Sequence, residues 1–176
     1  KSLKKRSKIV TNEIANFGLD IALNKIGLKL IRVKVGDKNI LQEIQKNNHF
    51  FGGEPSGHFI FRDDLLIGDG MTTAIRMMSI MLKEGKKLSE LKKGLDLLSV
   101  QNINQIIDRE RFFQNEDKIY RNLNSLLSNK KIFFNIRPSG TESVLRVNLQ
   151  YYKRNIKVNV LNKLKINIIK IISDAC

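Results

Sequence analysis

The sequence predicts an α/β protein: a mixed-sheet α/β domain over residues 1–95, incomplete on its N-terminal side, followed by a smaller α+β C-terminal domain over 96–176. Three observations lead there. Short β-branched runs alternate with amphipathic stretches in the first half, the rhythm of parallel strands joined by helices. The second half instead orders a strand, a long helix, two strands joined by a tight loop, and a closing helix. Finally, 176 residues suffice for two compact units of modest size.

Ile9-Val10-Thr11 is short and β-branched, as a strand requires. Leu19, Ile21, Ala22, Leu23 and Ile26 follow at helical spacing, and Gly27 stops them. Residues 28–35 alternate toward a strand through Leu30, Ile31, Val33 and Val35, and Gly36-Asp37 opens a second helix carrying Ile40, Leu41 and Ile44. His49-Phe50-Phe51 leads into a loop over 52–58, and Phe59-Ile60-Phe61 leaves it as a strand. Asp69 is the expected N-cap of a helix over 71–82, where its charge also suits the helix dipole, and capping outweighs a catalytic or metal role for it. Met71, Met77, Met78 and Met81 are expected to fill core space. Residues 83–87 end that helix, Ser89 caps a short one over 90–94, and the domain boundary is expected just after it. Beyond it, 97–107 reads as a strand and 108–127 as a helix with Phe112, Ile119, Leu123 and Leu126 inward. Strands over 131–136 and 144–151 flank a loop, and a helix over 154–172 turns Val158, Leu161, Leu164, Ile168 and Ile171 to its apolar side.

The net charge of +15 raises nucleic acid or anionic membrane as a partner. The lysines, however, are spread along the chain among equally abundant Asn and Ile, and the basic clusters near Lys4 and Lys86 carry no interleaved aromatics. A solvated basic surface is therefore expected, with no specific nucleic-acid partner. No apolar run approaches the roughly 20 residues that span a bilayer, so no membrane is expected either. Cys176 is the only cysteine, which rules out a disulfide framework and a cysteine metal site and fits a cytoplasmic protein. The chain starts without Met, directly before a strand-like segment, and reads as a piece of a longer protein.

Two loops carry chemistry. In Gly52-Gly53-Glu54-Pro55-Ser56-Gly57-His58, an extended backbone would turn Glu54, Ser56 and His58 to one side, a carboxylate and a hydroxyl suited to neighbouring sugar hydroxyls. His58 is also a candidate acid or base near neutrality. In Arg137-Pro138-Ser139-Gly140-Thr141-Glu142-Ser143, Arg137 offers a planar fork, Ser139 and Thr141 hydroxyls, and Gly140 an accessible backbone for a phosphate. The same residues make good tight-turn chemistry, and the loop alone serves either reading. Arg146 on the next strand would reinforce the phosphate site or pair with Glu142.

Together with Asn16-Phe17-Gly18-Leu19, Val33-Lys34-Val35-Gly36-Asp37-Lys38, Gly68-Asp69-Gly70 and 137–147, these loops resemble the α-D-phosphohexomutase superfamily over nearly the whole chain, from about Ile9 to the final helix. The resemblance implies a four-domain enzyme, of which this chain supplies most of the third domain and all of the fourth. It implies sugar-hydroxyl contacts from Glu54 and Ser56, with Lys38 nearby, and phosphate contacts from Arg137, Ser139, Gly140 and Thr141. It further implies a hexosamine phosphate substrate, a phosphoserine donor and Mg²⁺. The serine loop and the aspartate-rich metal loop of that family are absent from the 176 residues, so the chain alone is expected to be inactive, with its N-terminal domains as missing partners and no metal ligands of its own. Ser143 stands where the family often has proline, Lys38 where arginine is usual, and Ala15 where serine is usual. Lysine cannot reproduce a bidentate contact.

Overall fold

The computed structural model describes residues 8–64 and 66–176, and the chain divides into two units after Leu97. In the first, β1 (Lys8–Asn12), β2 (Lys29–Val33), β3 (Phe51–Gly53) and β4 (Phe59–Phe61) form one sheet in the order β2-β1-β3-β4. β1 pairs in parallel with β2 and β3, and β4 closes the edge antiparallel, so the sheet is mixed. The helices α1 (Gly18–Lys25) and α2 (Asp37–Asn47) supply the crossovers that parallel pairing requires.

Helix α2 starts at Gly36, whose φ of 125° lies outside the range of ordinary L-residues. It sets Ile40 and Ile44 against Val10 and Ile60, with Val33 and Leu41 at the margin. Gly52 is needed where α2 crosses the sheet: a Cβ there would lie 2.6 Å from Ile40 Cγ2 and 3.0 Å from the Val10 carbonyl oxygen.

The other sheet face is less covered. Ile9, Phe51, Phe59 and Phe61 look into an open apolar cavity of about 390 Å³ that also involves Met77 and Ile80 of α3 (Gly70–Glu84). Asp69 caps α3 as expected, its carboxylate accepting from the Met71 and Thr72 N–H groups at 3.0 and 3.2 Å. The methionines do not fill a core. None of the α3 residues is buried, and Met71, Ile75, Met78 and Leu82 form an outward stripe at i, i+4, i+7 and i+11, with Met71 70% and Leu82 83% exposed. Periodicity marks an apolar face without saying what lies opposite it. The short α4 (Leu88–Leu91) is capped at Lys87, whose N–H donates to Glu90 Oε2 at 2.9 Å, so Ser89 lies inside the helix rather than at its start.

The second unit is an antiparallel sheet of β5 (Ser99–Ile106), β6 (Phe133–Pro138) and β7 (Val144–Tyr151), in the order β5-β7-β6. With α5 (Arg109–Leu127) and α6 (Val158–Ala175) it encloses a larger core. Sixteen buried residues form that cluster, against four in the first unit among the described residues, so most of the apolar stabilisation lies here. Two helix faces are rotated slightly from expectation. Leu127 and Ile172 are buried while Leu126 and Ile171 pack at the margin, and Val158 is exposed.

Candidate functional site

The 52–58 segment brings Glu54, Ser56 and His58 together, though not as an extended strand. Residues 54–58 form the turn of the β3–β4 hairpin: the Glu54 N–H donates to the His58 carbonyl and the Gly57 N–H to the Glu54 carbonyl, each at 3.0 Å. The turn folds the side chains over each other. Ser56 Oγ donates to Glu54 Oε2 at 3.1 Å, and His58 Nδ1 lies 3.3 Å from Ser56 Oγ and 3.7 Å from Glu54 Oε2. With its single proton given to Glu54, Ser56 can only accept from His58, which puts the ring proton on Nδ1 and leaves Nε2 as the available base.

Glu54 is only 8% exposed, yet it is held ionised. Burial alone would raise its pKa. Hydrogen bonds from Asn12, the Gly36 N–H, Ser56 and His58 outweigh that and hold the carboxyl below its ordinary value. Asn12 Nδ2 and the Gly36 N–H both reach Oε1, at 3.1 and 2.8 Å. One oxygen thus ties the end of β1 and the start of α2 to the hairpin, and the other faces the Ser56–His58 side. Asn12 is itself buried, and its Oδ1 has no partner among the described residues, a cost accepted to aim the amide at the carboxylate.

These supporting groups were missed from sequence, and so was Arg32. Its Nη1 donates to the carbonyls of Asn12, Glu13 and Ala15, and its Nη2 pairs with Asp20, fixing the segment that follows β1. Lys38 is exposed in the first turn of α2, with no side-chain bond to the Glu54 cluster among the described residues.

In the second unit, residues 139–143 join β6 to β7, closed by a bond from the Ser139 N–H to the Val144 carbonyl at 2.8 Å. Ser139 is buried, and Arg109 at the start of α5, unremarked in the sequence, donates to the carbonyls of Ser139 and Glu142. Arg146 Nη2 pairs with Glu142 Oε2 at 3.0 Å, one of the two arrangements expected of it. Arg137 stands directly across the ladder from Arg146, half-buried, and its guanidinium has no partner among the described residues. Two like charges opposite each other on one sheet face repel. Gly140 and Thr141 are exposed at the tip, and a Cβ on Gly140 would meet nothing within 4 Å. The turn itself therefore gives no steric reason for glycine at 140.

The first unit thus holds a buried carboxylate beside a hydroxyl and an imidazole, and the second a loop next to an arginine with no partner among the described residues. The family model described as phosphoglucomutase/phosphomannomutase, alpha/beta/alpha domain III, matches residues 1–96, and the chain belongs to that family. It is 41% identical over 148 residues to the phosphoglucosamine mutase of Caldanaerobacter subterraneus subsp. tengcongensis, covering 81% of this chain and 33% of the relative. Identity is 31% over 185 residues to that of Acetivibrio thermocellus, covering 98% and 39%. The chain thus spans about a third of the length of the curated relatives it matches. Among solved structures it resembles the N-acetylphosphoglucosamine mutase of Aspergillus fumigatus, with a TM-score of 0.80 at 16% identity over 97% of this chain and 39% of that one. A second structure of that enzyme, in complex with GlcNAc-6P and magnesium, gives 0.76 at 17% identity over the same shares. At such identity the likeness establishes the fold.

Proposed function

We propose that this chain is the substrate-recognition part of a phosphoglucosamine mutase, an isomerase interconverting glucosamine 6-phosphate and glucosamine 1-phosphate for UDP-N-acetylglucosamine and the cell wall, in the cytoplasm. The observation that carries the reading is Glu54: a buried, ionised carboxylate with one oxygen fixed to the scaffold and the other beside Ser56 and His58. Such an oxygen accepts from sugar hydroxyls in either orientation of the ring, which a reaction that turns the sugar over between half-reactions demands. Arg137, Ser139, Gly140 and Thr141, with Arg146, would hold the phosphate that is not being transferred. His58 Nε2 would take the proton of the attacking sugar hydroxyl and return it to the departing one.

The phosphoryl donor would be a phosphoserine elsewhere in the enzyme, giving a bisphosphate that hands its other phosphoryl group back. Magnesium would be held by residues of the longer enzyme outside this chain; among the described residues no three His, Cys, Asp or Glu side chains are grouped together. No step of this chain's chemistry is routed through it, and the chain alone would bind without turnover.

The family description favours a second reading, with glucose or mannose phosphates as substrates. The deciding experiment assays the longer protein containing this chain against glucosamine, mannose and glucose phosphates, with Glu54→Gln as control. Preference for the amino sugar, lost in the variant, supports the proposal; equal or better turnover of the neutral sugars moves it to the second reading. Removing His58 as an alanine should lower kcat by about 10²-fold or more, and an unchanged rate would end its role.

A further inference from the structure

The carboxylate of Glu142 lies against two donors of the phosphate-loop region. Its Oε2 accepts from Arg146 Nη2 at 3.0 Å and from Ser139 Oγ at 3.4 Å, and Arg146 Nη2 also reaches Ser139 Oγ at 3.4 Å. Two donors of the phosphate loop are thereby engaged from within the loop itself. Arg137, opposite Arg146 in the ladder, is left uncompensated. Glu142 is 60% exposed on a loop whose neighbouring Gly140 has open space around it, so it can leave without disturbing the core.

We propose that Glu142 is a specificity-determining residue of this loop: its carboxylate is a resident anion that a ligand must displace from Arg146 and Ser139. The ligand class is a phosphate dianion, whose extra charge and three oxygens can satisfy Arg137, Arg146 and Ser139 together where a carboxylate satisfies only part of the set. Singly charged anions cannot improve on what Glu142 already supplies and are excluded. An exposed ion pair is weak, so displacement is easy, on the order of one-and-a-half- to fivefold in affinity. The inference rests on the phosphate reading of the loop.

The test titrates the 176-residue chain with inorganic phosphate and, separately, acetate, following the Gly140 and Thr141 amide resonances in wild type, Glu142→Gln, Glu142→Ala and Arg137→Ala. Both Glu142 variants should bind phosphate about one-and-a-half- to fivefold more tightly, and acetate, silent on the wild type, should begin to bind. A residue that merely braced the turn would give the opposite sign. Weaker or unchanged phosphate binding in both Glu142 variants, with binding still abolished by Arg137→Ala, overturns the inference and leaves the phosphate site standing. Absence of any response to phosphate in all four proteins overturns the phosphate reading, and the inference with it.

Discussion

Replacing Glu54 tests whether one oxygen holds the first unit's loops together. In Glu54→Ala the Gly36 N–H and the Asn12 amide lose their shared acceptor, and Asn12 at 2% exposure is too buried for water to take over. A buried donor left unsatisfied costs about 1–3 kcal/mol, so two such groups, one of them half-buried, cost roughly 2–4 kcal/mol. In Glu54→Gln the amide oxygen can replace Oε1 and its NH₂ can donate to Ser56, leaving only the charged-to-neutral difference, about 1 kcal/mol. Because the Glu54 pKa is depressed, its contribution is fully present above the ordinary glutamate value of 4.5 and is lost as pH falls through the lower folded value. The gap between wild type and Glu54→Gln should therefore close below about pH 4.5. The assay is urea unfolding read by amide exchange in β1 and β3, since all three tyrosines lie in the second unit and the chain has no tryptophan. An alanine variant within about 0.5 kcal/mol of wild type would refute the reasoning.

Gly52→Ala should destabilise the first unit by about 1–3 kcal/mol, because its Cβ strikes Ile40 and the β1 backbone, and urea midpoints measure this. Gly140→Ala should leave stability within about 0.5 kcal/mol, since open space receives the methyl, yet weaken phosphate binding several-fold. Equal phosphate affinity would favour the plain turn. Asp69→Ala should speed amide exchange at Met71 and Thr72, which lose their acceptor. Hydrogen bonds from the Thr72 hydroxyl and from the Met71 and Thr72 N–H groups depress the Asp69 pKa, so this protection fades as pH falls below the ordinary aspartate value of 3.8.

Local signals carried the sequence reading a long way. The element order, the bounds of β7 and the Asp69 cap follow from patterns read within a few residues. Glu54, Ser56 and His58 do converge, but through a turn rather than a strand, because Pro55 and Gly57 favour the reversal over extension. What escaped was tertiary. Asn12 meets Glu54 across 42 positions, Gly36 across 18 and Arg109 meets Ser139 across 30, and no local spacing announces such pairs. The α3 methionines were misplaced for the same reason: amphipathicity fixes a direction, and the partner surface decides burial. At Leu126–Leu127 and Ile171–Ile172 two adjacent apolar residues straddle the edge of a helix face, and packing alone selects between them.

β1 is the earliest of the four strands in its sheet and, like β3, has neighbours on both sides. During synthesis at roughly 5–20 residues per second, it waits on the order of a second or more for β2, and longer for β3, to leave the ribosome. Over that interval its Ile-Val-Thr backbone is an unpaired edge, the kind of segment that other chains can capture. The antiparallel β6–β7 pair needs only its own short loop to close. Slow elongation or a holding chaperone should therefore matter for β1, and for β5, whose neighbour β7 is likewise made much later, but hardly at all for the β6–β7 pair.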